Sequence, residues 1–129
     1  MIYLDANFFI FAAIDNTEKG ENARDFFQKI INGKEAITSV LAIDEIMWVL
    51  IKNKKKHLVN SVVEGIYKIP NLKVSGVLRD IPLRAMSYLD KLAPRDAFHV
   101  AVMESLDINE IITDDSDFEK IKWIKRIKI

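Results

Sequence analysis

Short apolar runs alternate with longer stretches of helical spacing along the chain, and this alternation predicts its architecture. Each apolar run is three or four residues long, which is typical of a buried strand. A tail in which lysines alternate with apolar residues predicts one more strand, at the edge of the sheet. The predicted strands cover residues 1–4, 36–38, 72–74 and 111–113, with the fifth in the tail at 122–129.

Between these runs, apolar residues recur at spacings of three and four, which predicts helices. Asn32-Gly33 ends the second helix, Thr38 or Ser39 caps the third, and Pro94 begins the last. The predicted helices cover residues 7–14, 17–32, 39–51 and 57–68, a stretch from 82 to 92, and 94–106.

Strands that alternate with helices predict an α/β fold with a mainly parallel sheet. At 129 residues, the whole chain, 1–129, is expected to form a single domain. In such sheets, ligands bind at the carboxyl ends of the strands, beside the helices that follow. The third helix is apolar on most of its circumference, so we expect it to be buried in the core or covered by a second subunit.

Composition narrows the functional classes. Half of the residues are hydrophobic and 29% are charged, as in an ordinary globular protein. Nineteen basic and nineteen acidic side chains cancel, so net charge does not indicate a nucleic-acid binder. The absence of cysteine excludes disulfides, thiolate catalysis and Cys-ligated zinc. With neither a signal segment nor a membrane span in the pattern, we expect a cytoplasmic protein.

Four carboxylates occupy positions that suit a shared site. Asp5 and Asp115 follow the first and fourth strands, whose carboxyl ends lie at the same edge of a parallel sheet. Glu45 interrupts the most apolar helix, and Asp96 lies in the first turn of the last helix. Taken singly, each acid also has a structural explanation. Asp5 could simply begin a turn after its strand, Asp96 could stabilise the helix N-terminus through the helix dipole, and Glu45 could lie on a narrow exposed side of its helix.

Taken together, these carboxylates point to a cation. Two of them at 4 Å repel by about 4 kcal/mol at an effective dielectric near 20, so a cluster needs a cation or must retain protons. Oxygen ligands without cysteine select Mg²⁺ or Mn²⁺ over zinc. Acidic sites of this type serve phosphodiester hydrolysis.

The same residues lie in four short motifs that resemble those of the PIN domain family. The motifs are "YLDAN", "TSVLAIDEI", "RDAFHVAVM" and "ITDDSDF". The resemblance assigns Asp5, Glu45, Asp96 and Asp115 as the catalytic and metal-binding acids. It also implies a three-layer α/β/α fold and Mg²⁺- or Mn²⁺-dependent ribonuclease activity. Small members resemble the toxins of type II, VapBC-like toxin–antitoxin pairs, so a homodimer and a small antitoxin partner are expected.

The neighbours of the four acids have predicted roles as well. Asn7 and Thr113 are expected to orient carboxylates or water, and Asp117 either helps to bind a second ion or lies in an exposed turn. Asp114 is expected to face solvent. His99 shares a helix face with Asp96 and is expected to be a hydrogen-bonded neighbour of the cleft rather than a ligand.

Three basic residues are candidate RNA contacts. Arg95 is adjacent to Asp96, where it suits either a phosphate or a nearby acid, and Lys54 and Lys55 lie in a basic segment after the third helix. Two alternatives to a toxin stay open: a PIN-fold interaction module without catalysis, and an RNA-processing nuclease outside any toxin system. An aspartyl-phosphate phosphatase is disfavoured, because Asn7 stands where that class has its second aspartate.

Overall fold

A computed structural model describes all 129 residues, and its centre is a five-stranded parallel sheet. The strand order is β3-β2-β1-β4-β5, and every neighbouring pair is parallel. In the register, Tyr3 of β1 pairs with Ile37 of β2 on one side and with Ile111 of β4 on the other. The strands are β1 (Ile2–Leu4), β2 (Ala36–Ser39), β3 (Leu72–Ser75), β4 (Glu110–Ile112) and β5 (Lys125–Ile127).

Six α-helices connect the strands. Three 3₁₀ turns, at Lys56–Leu58, Met86–Tyr88 and Ser116–Lys120, complete the connections. The helices are α1 (Ala6–Ile14), α2 (Glu18–Ile31), α3 (Val40–Lys52), α4 (Val59–Lys68), α5 (Ile81–Ala85) and α6 (Pro94–Ser105). None of them combines the length and apolar character that a membrane-spanning helix needs.

Helices cover both faces of the sheet, so the fold has three layers. Ile2 and Leu4 of β1 face a core that they share with α1, α2, α3 and α4. Tyr3, which lies between them, faces the opposite core, formed with α5 and α6. The two cores follow from the alternation of side chains along a strand. The predicted three-layer α/β/α fold with a parallel sheet is thus confirmed.

The strand order reverses between β1 and β4. From β1 the chain adds β2 and β3 on one side, and it then returns to add β4 and β5 on the other. A crevice forms outside the carboxyl ends of the strands at such a reversal, because the connections leave in opposite directions. Asp5 follows β1 directly, and residues 113–115 follow β4. The topology therefore places both acidic segments at this crevice.

The prediction of a helix over residues 82–92 is wrong in its length. The α-helix there is five residues long, and a 3₁₀ turn follows it. Met86 and Leu89, which belonged to the predicted apolar stripe, are exposed, whereas Leu92 is buried. Without burial of those two side chains, no apolar face extends the helix beyond Ala85.

Candidate metal centre

Asp5 is the most buried of the four predicted acids, and both of its carboxylate oxygens accept hydrogen bonds. Its side chain caps α1, with Oδ1 accepting from the backbone N–H of Ala6 at 2.7 Å. Oδ2 accepts from the hydroxyl of Thr113 at 2.7 Å. Asp5 is 6% exposed, and burial raises its pKa, while the charge of His99 and the hydrogen bond from Thr113 oppose that rise.

Thr113 and Asn7 join the segment after β1 to the segment after β4. The Asn7 amide donates to Thr113 Oγ1 at 3.1 Å and to Asp5 Oδ2 at 3.3 Å. The backbone N–H of Asp115 donates to the same Thr113 hydroxyl oxygen at 3.1 Å, and that of Asp114 donates to Asn7 Oδ1 at 3.3 Å. These two polar side chains thus set the distance between the first acid and the last.

Glu45 reaches the crevice from α3. Ser39 caps this helix by accepting from the backbone N–H of Ala42, so α3 starts at the carboxyl end of β2. Glu45 Oε1 lies 2.7 Å from Nε2 of His99, a fully buried residue of α6. The same His99 nitrogen lies 3.7 Å from Asp5 Oδ1. Asp5, Glu45 and His99 place their ligand atoms within 4.8 Å of one another.

A second group consists of Asp96, Asp115 and Asp117, whose ligand atoms also lie within 4.8 Å of one another. Asp96 comes from the first turn of α6, after Pro94 at the helix start. The Asp115 side chain accepts from the backbone N–H of Asp117 at 2.9 Å, which begins the 3₁₀ turn. Asp117 is also 3.0 Å from Lys120 Nζ and is half exposed.

Electrostatics link the two groups into one acidic crevice. Burial and the charges of Asp115, Asp5 and Glu45 together raise the pKa of Asp96 to about 6, and the charge of His99 opposes that rise. Burial opposes a charge on His99, yet its hydrogen bond to Glu45 and the charges of Asp5, Glu45 and Asp96 raise its pKa overall. The acids act on one another because they lie close together, and a divalent cation relieves such repulsion. An all-carboxylate opening with a single imidazole behind it fits Mg²⁺ or Mn²⁺.

The sequence predicts that Asp114 faces solvent, but in the structure it is partly buried and has a charged partner. Its carboxylate is 2.7 Å from Lys19 Nζ, and its side chain is only 27% exposed. Lys19 in turn lies over the ring of Phe11. The pair joins the loop after β4 to α2, and Asp114 belongs to neither of the two acid groups.

The three candidate RNA contacts lie in different places. Arg95 borders the site, with its guanidinium 3.6 Å from Glu45 and 3.7 Å from Asp44. Lys54 and Lys55 follow the C-terminal end of α3, whereas Glu45 lies in its first half. Because a helix rises 1.5 Å per residue, Lys52 at the end of α3 is roughly 10 Å along the axis from Glu45, and Lys54 follows beyond that end. Lys54 has a φ of 60°, as in a left-handed residue that ends a helix.

The family model described as the PIN domain matches residues 2–124, nearly the whole chain. The chain belongs to the PIN domain family. The resemblance drawn from the four acidic motifs is therefore confirmed. The comparison with curated proteins found no match.

Solved structures with this PIN fold include several from toxin–antitoxin systems. VapC20 of Mycobacterium tuberculosis, a toxin that cleaves the sarcin–ricin loop, superposes with a TM-score of 0.80 at 16% identity, covering 96% of this chain and 97% of VapC20. DNA-bound VapBC from Salmonella typhimurium superposes with a TM-score of 0.73 at 20% identity, covering 98% of this chain and 96% of the other. VapBC2 from Rickettsia felis, bound to promoter DNA, superposes with a TM-score of 0.76 at 14% identity, covering 99% of this chain and 98% of the other. At these identities the likeness establishes the fold.

Sequence reasoning missed two residues of this PIN domain's site region, Tyr3 and Ser39. Tyr3 was read only as part of an apolar strand, but its hydroxyl lies 2.7 Å from both Ser39 Oγ and His99 Nδ1. A tyrosine in the middle of a buried strand is a usable signal, since a buried hydroxyl needs a hydrogen-bond partner. His99 was correctly expected to be a hydrogen-bonded neighbour of the cleft.

Proposed function

We propose that this PIN domain is a metal-dependent endoribonuclease that hydrolyses phosphodiester bonds of RNA. The observation that carries the proposal is the convergence of the acids from four separate segments on one crevice. Asp5, Glu45, Asp96 and Asp115 come from the ends of β1 and β4 and from α3 and α6. Buried or partly buried carboxylates that repel one another weaken the fold, so their gathering is explained by a function that uses them together.

The four acids would hold one or two divalent ions, with Asp117 as a further donor for a second ion. When bound, Mg²⁺ or Mn²⁺ lowers the pKa of water and neutralises charge on a phosphate. Thr113 and Asn7 keep the Asp5 carboxylate in a fixed orientation through their hydrogen bonds to Oδ2. Carboxylates that are already held lose little freedom when an ion binds.

The RNA would approach across the rim of the crevice. Arg95 is half exposed beside Glu45, so it can exchange its present acidic partners for a backbone phosphate. Lys54 and Lys55 lie further away and would contact RNA only if the strand extends along α3. Charge removal at a phosphate contact reduces the salt dependence of RNA binding, by a slope of about one per contact.

We further propose that the protein is the toxin of a type II pair in the cytoplasm, held inactive by a small antitoxin. The support is the fold shared with VapC20 and with two VapBC structures over nearly full length. A homodimer is supported by an apolar face on α3. There Val40, Met47, Trp48 and Ile51 are exposed, with Trp48 at 61%. Such a face is uncommon on a monomer and typical of an interface.

The nuclease proposal is tested by cleavage of RNA with the purified protein in Mg²⁺ or Mn²⁺. Asp5→Asn and Asp96→Asn should each abolish cleavage, as should chelation by EDTA. The matched control is Asp25→Asn, the same chemical change on an exposed part of α2. Full activity in Asp5→Asn or Asp96→Asn would refute the site. A single-stranded DNA of the same sequence tests whether the substrate is RNA.

Two further experiments separate the alternatives. Thermal denaturation with millimolar Mn²⁺ should raise Tm in the parent and not in Asp5→Asn, because only a bound ion stabilises the native state. No rise in the parent would favour an interaction module without catalysis. Expression in a bacterial host should arrest growth, and a short protein encoded beside this gene should relieve the arrest. Cleavage without toxicity would favour an RNA-processing nuclease.

A further inference from the structure

A buried chain of hydrogen bonds connects the core of the domain to Glu45. Ser39 Oγ lies 2.7 Å from the hydroxyl of Tyr3, which lies 2.7 Å from His99 Nδ1. His99 Nε2 then lies 2.7 Å from Glu45 Oε1. Ser39, Tyr3 and His99 have no exposed surface, whereas the Glu45 side chain is 17% exposed and faces the crevice. The chain therefore runs from the interior to an acid of the site.

The direction of the donors follows from the chemistry of the two ends. A carboxylate only accepts, so Nε2 of His99 is the donor to Glu45. In a neutral imidazole the other nitrogen, Nδ1, accepts from the Tyr3 hydroxyl, and in the charged ring, which the nearby acids favour, Nδ1–H donates to the Tyr3 oxygen instead. Ser39 Oγ accepts from the N–H of Ala42 and can donate its own proton to Tyr3. Each hydroxyl thus helps to fix the ring of His99 with Nε2–H directed at Glu45.

Packing alone does not explain this arrangement. Burying a hydroxyl or an imidazole costs free energy unless it is hydrogen-bonded, and apolar side chains would fill the same space without that cost. In this structure no buried side-chain nitrogen or oxygen lacks a hydrogen-bond partner. Three polar residues from β1, β2 and α6 are therefore used together, and the hydrogen bond that leaves the chain goes to Glu45, with Asp5 Oδ1 farther from His99 Nε2 at 3.7 Å.

Arg95 also approaches Glu45 Oε1, but it is a weaker constraint. Its guanidinium is 3.6 Å away and half exposed, so salt and water screen the contact. His99 makes the shorter contact, from a position that water does not reach. A carboxylate held through one oxygen can offer the other oxygen to a cation.

We propose that His99 is a positioning residue, which Tyr3 and Ser39 hold in place so that it fixes the Glu45 carboxylate for divalent-ion binding. This inference rests on the proposed metal-dependent function, and it gives His99 a role other than that of a ligand. Partners that orient a ligating carboxylate typically change metal affinity by about 10- to 100-fold when they are removed.

The test is calorimetric titration of the whole protein with Mn²⁺ and, separately, with Mg²⁺. His99→Leu removes the donor but keeps an apolar side chain in the buried position, and it should weaken both ions by about 10- to 100-fold. His99→Gln, whose amide nitrogen can stand near the place of Nε2, should recover part of that loss. Tyr3→Phe deletes one hydroxyl and should weaken both ions less than His99→Leu does. Tyr88→Phe is the matched control, because its hydroxyl donates to Glu104 away from the site.

Four results would overturn the inference. Unchanged affinity in His99→Leu and Tyr3→Phe, with a lower Tm, would show that the chain is structural only. A loss for Mn²⁺ without a loss for Mg²⁺ would make His99 a direct nitrogen ligand, since Mn²⁺, a transition-metal ion, accepts a nitrogen ligand more readily than Mg²⁺ does. If His99→Leu does not fold, the test rests on Tyr3→Phe. Metal affinity in Tyr3→Phe equal to that of the parent would then reject the positioning role of His99. A parent that binds neither ion would refute the proposed function itself, and this inference with it.

Discussion

The acidic crevice should make the metal-free protein less stable than it could be, and Asp96 is the residue at which to measure this. Its pKa is raised from 3.8 to about 6, mainly by burial and by the charges of Asp115, Asp5 and Glu45. Asp96→Asn keeps the shape of the side chain and removes the charge. We therefore expect Asp96→Asn to be more stable than the parent in EDTA at pH 7.5.

The expected gain in stability of Asp96→Asn follows from the pKa shift of Asp96. Two pKa units correspond to about 3 kcal/mol at 1.36 kcal/mol per unit, which is an upper limit. Asp96 is partly exposed, so screening reduces this to about 1–2 kcal/mol. The dipole of α6 favours the charge by only about 0.3–1 kcal/mol, which does not reverse the sign. In a domain of this size the gain corresponds to a Tm about 3 to 10 °C higher.

The pH dependence has a definite direction. Between pH 3.8 and about 6 the folded protein binds more protons at Asp96 than the unfolded chain does, so the parent loses stability as pH rises through this range. Asp96→Asn lacks this loss. The two proteins should therefore be almost equally stable at pH 4, and the difference should be complete above pH 7.

The assay is urea unfolding at pH 4 and pH 7.5 in EDTA, with Asp25→Asn as the exposed control. Saturating Mn²⁺ should reverse the order at pH 7.5, since an ion at 100 times its Kd stabilises the parent by about 2.7 kcal/mol. Equal stability of parent and Asp96→Asn at pH 7.5 in EDTA would refute the electrostatic reasoning. A stability difference between the two proteins that is as large at pH 4 as at pH 7.5 would refute it too.

Four other variants probe the scaffold. Phe118→Ala removes a fully buried ring next to Asp117 and should cost about 3–5 kcal/mol in urea unfolding. Gly20→Ala brings a Cβ into collision with the backbone carbonyl of Asp15, so it should lower stability by about 1–3 kcal/mol. Arg126→Met leaves the carbonyls of Thr113 and Asp114 without their donor, so Mn²⁺ affinity should fall while Lys125→Met has no effect. Trp48→Lys should convert a dimer to a monomer in sedimentation, with Tm of the monomer retained.

Each of these expectations has a clear contrary result. A loss below about 1 kcal/mol in Phe118→Ala would mean that its cavity collapses easily. Parental stability in Gly20→Ala would mean that α2 can move away from Asp15. Unchanged Mn²⁺ affinity in Arg126→Met would separate the loop after β4 from the site. A dimer that persists in Trp48→Lys would place the interface elsewhere.

Much of the fold follows from local patterns. The strands that end before Asp5 and Thr113 are apolar runs, and the caps at Ser39 and Pro94 set where α3 and α6 begin. These signals work because hydrophobic periodicity and capping depend on residues close together in the chain. The wrong helix length over residues 82–92 has the same origin. Apolar spacing predicts a helix there, but the side chains of Met86 and Leu89 stay exposed to solvent because no other element packs over them.

Most of the predicted site acids could be singled out from sequence by their local positions, and Asp96 by its motif; that they bind a metal together stays a prediction. Glu45 interrupts an apolar helix, Asp5 directly follows β1, and Asp115 lies three residues after the end of β4. Their grouping as Asp5 with Glu45, and Asp96 with Asp115 and Asp117, is a property of the structure alone. No local rule specifies which carboxylates face each other across a crevice.

The sequence by itself determined most of the helices and strands and the parallel α/β class, and it singled out Asp5, Glu45 and Asp115, because each of these depends on neighbours within a few residues. Tertiary structure alone decided that Asp114 pairs with Lys19 and that Tyr3, Ser39 and His99 form one chain ending at Glu45. Ser39 and His99 are 60 residues apart, and Tyr3 is 96 residues from His99. Such contacts arise only when β1, β2 and α6 pack together, since side-chain hydrogen bonds depend on positions in space and not on separation along the chain.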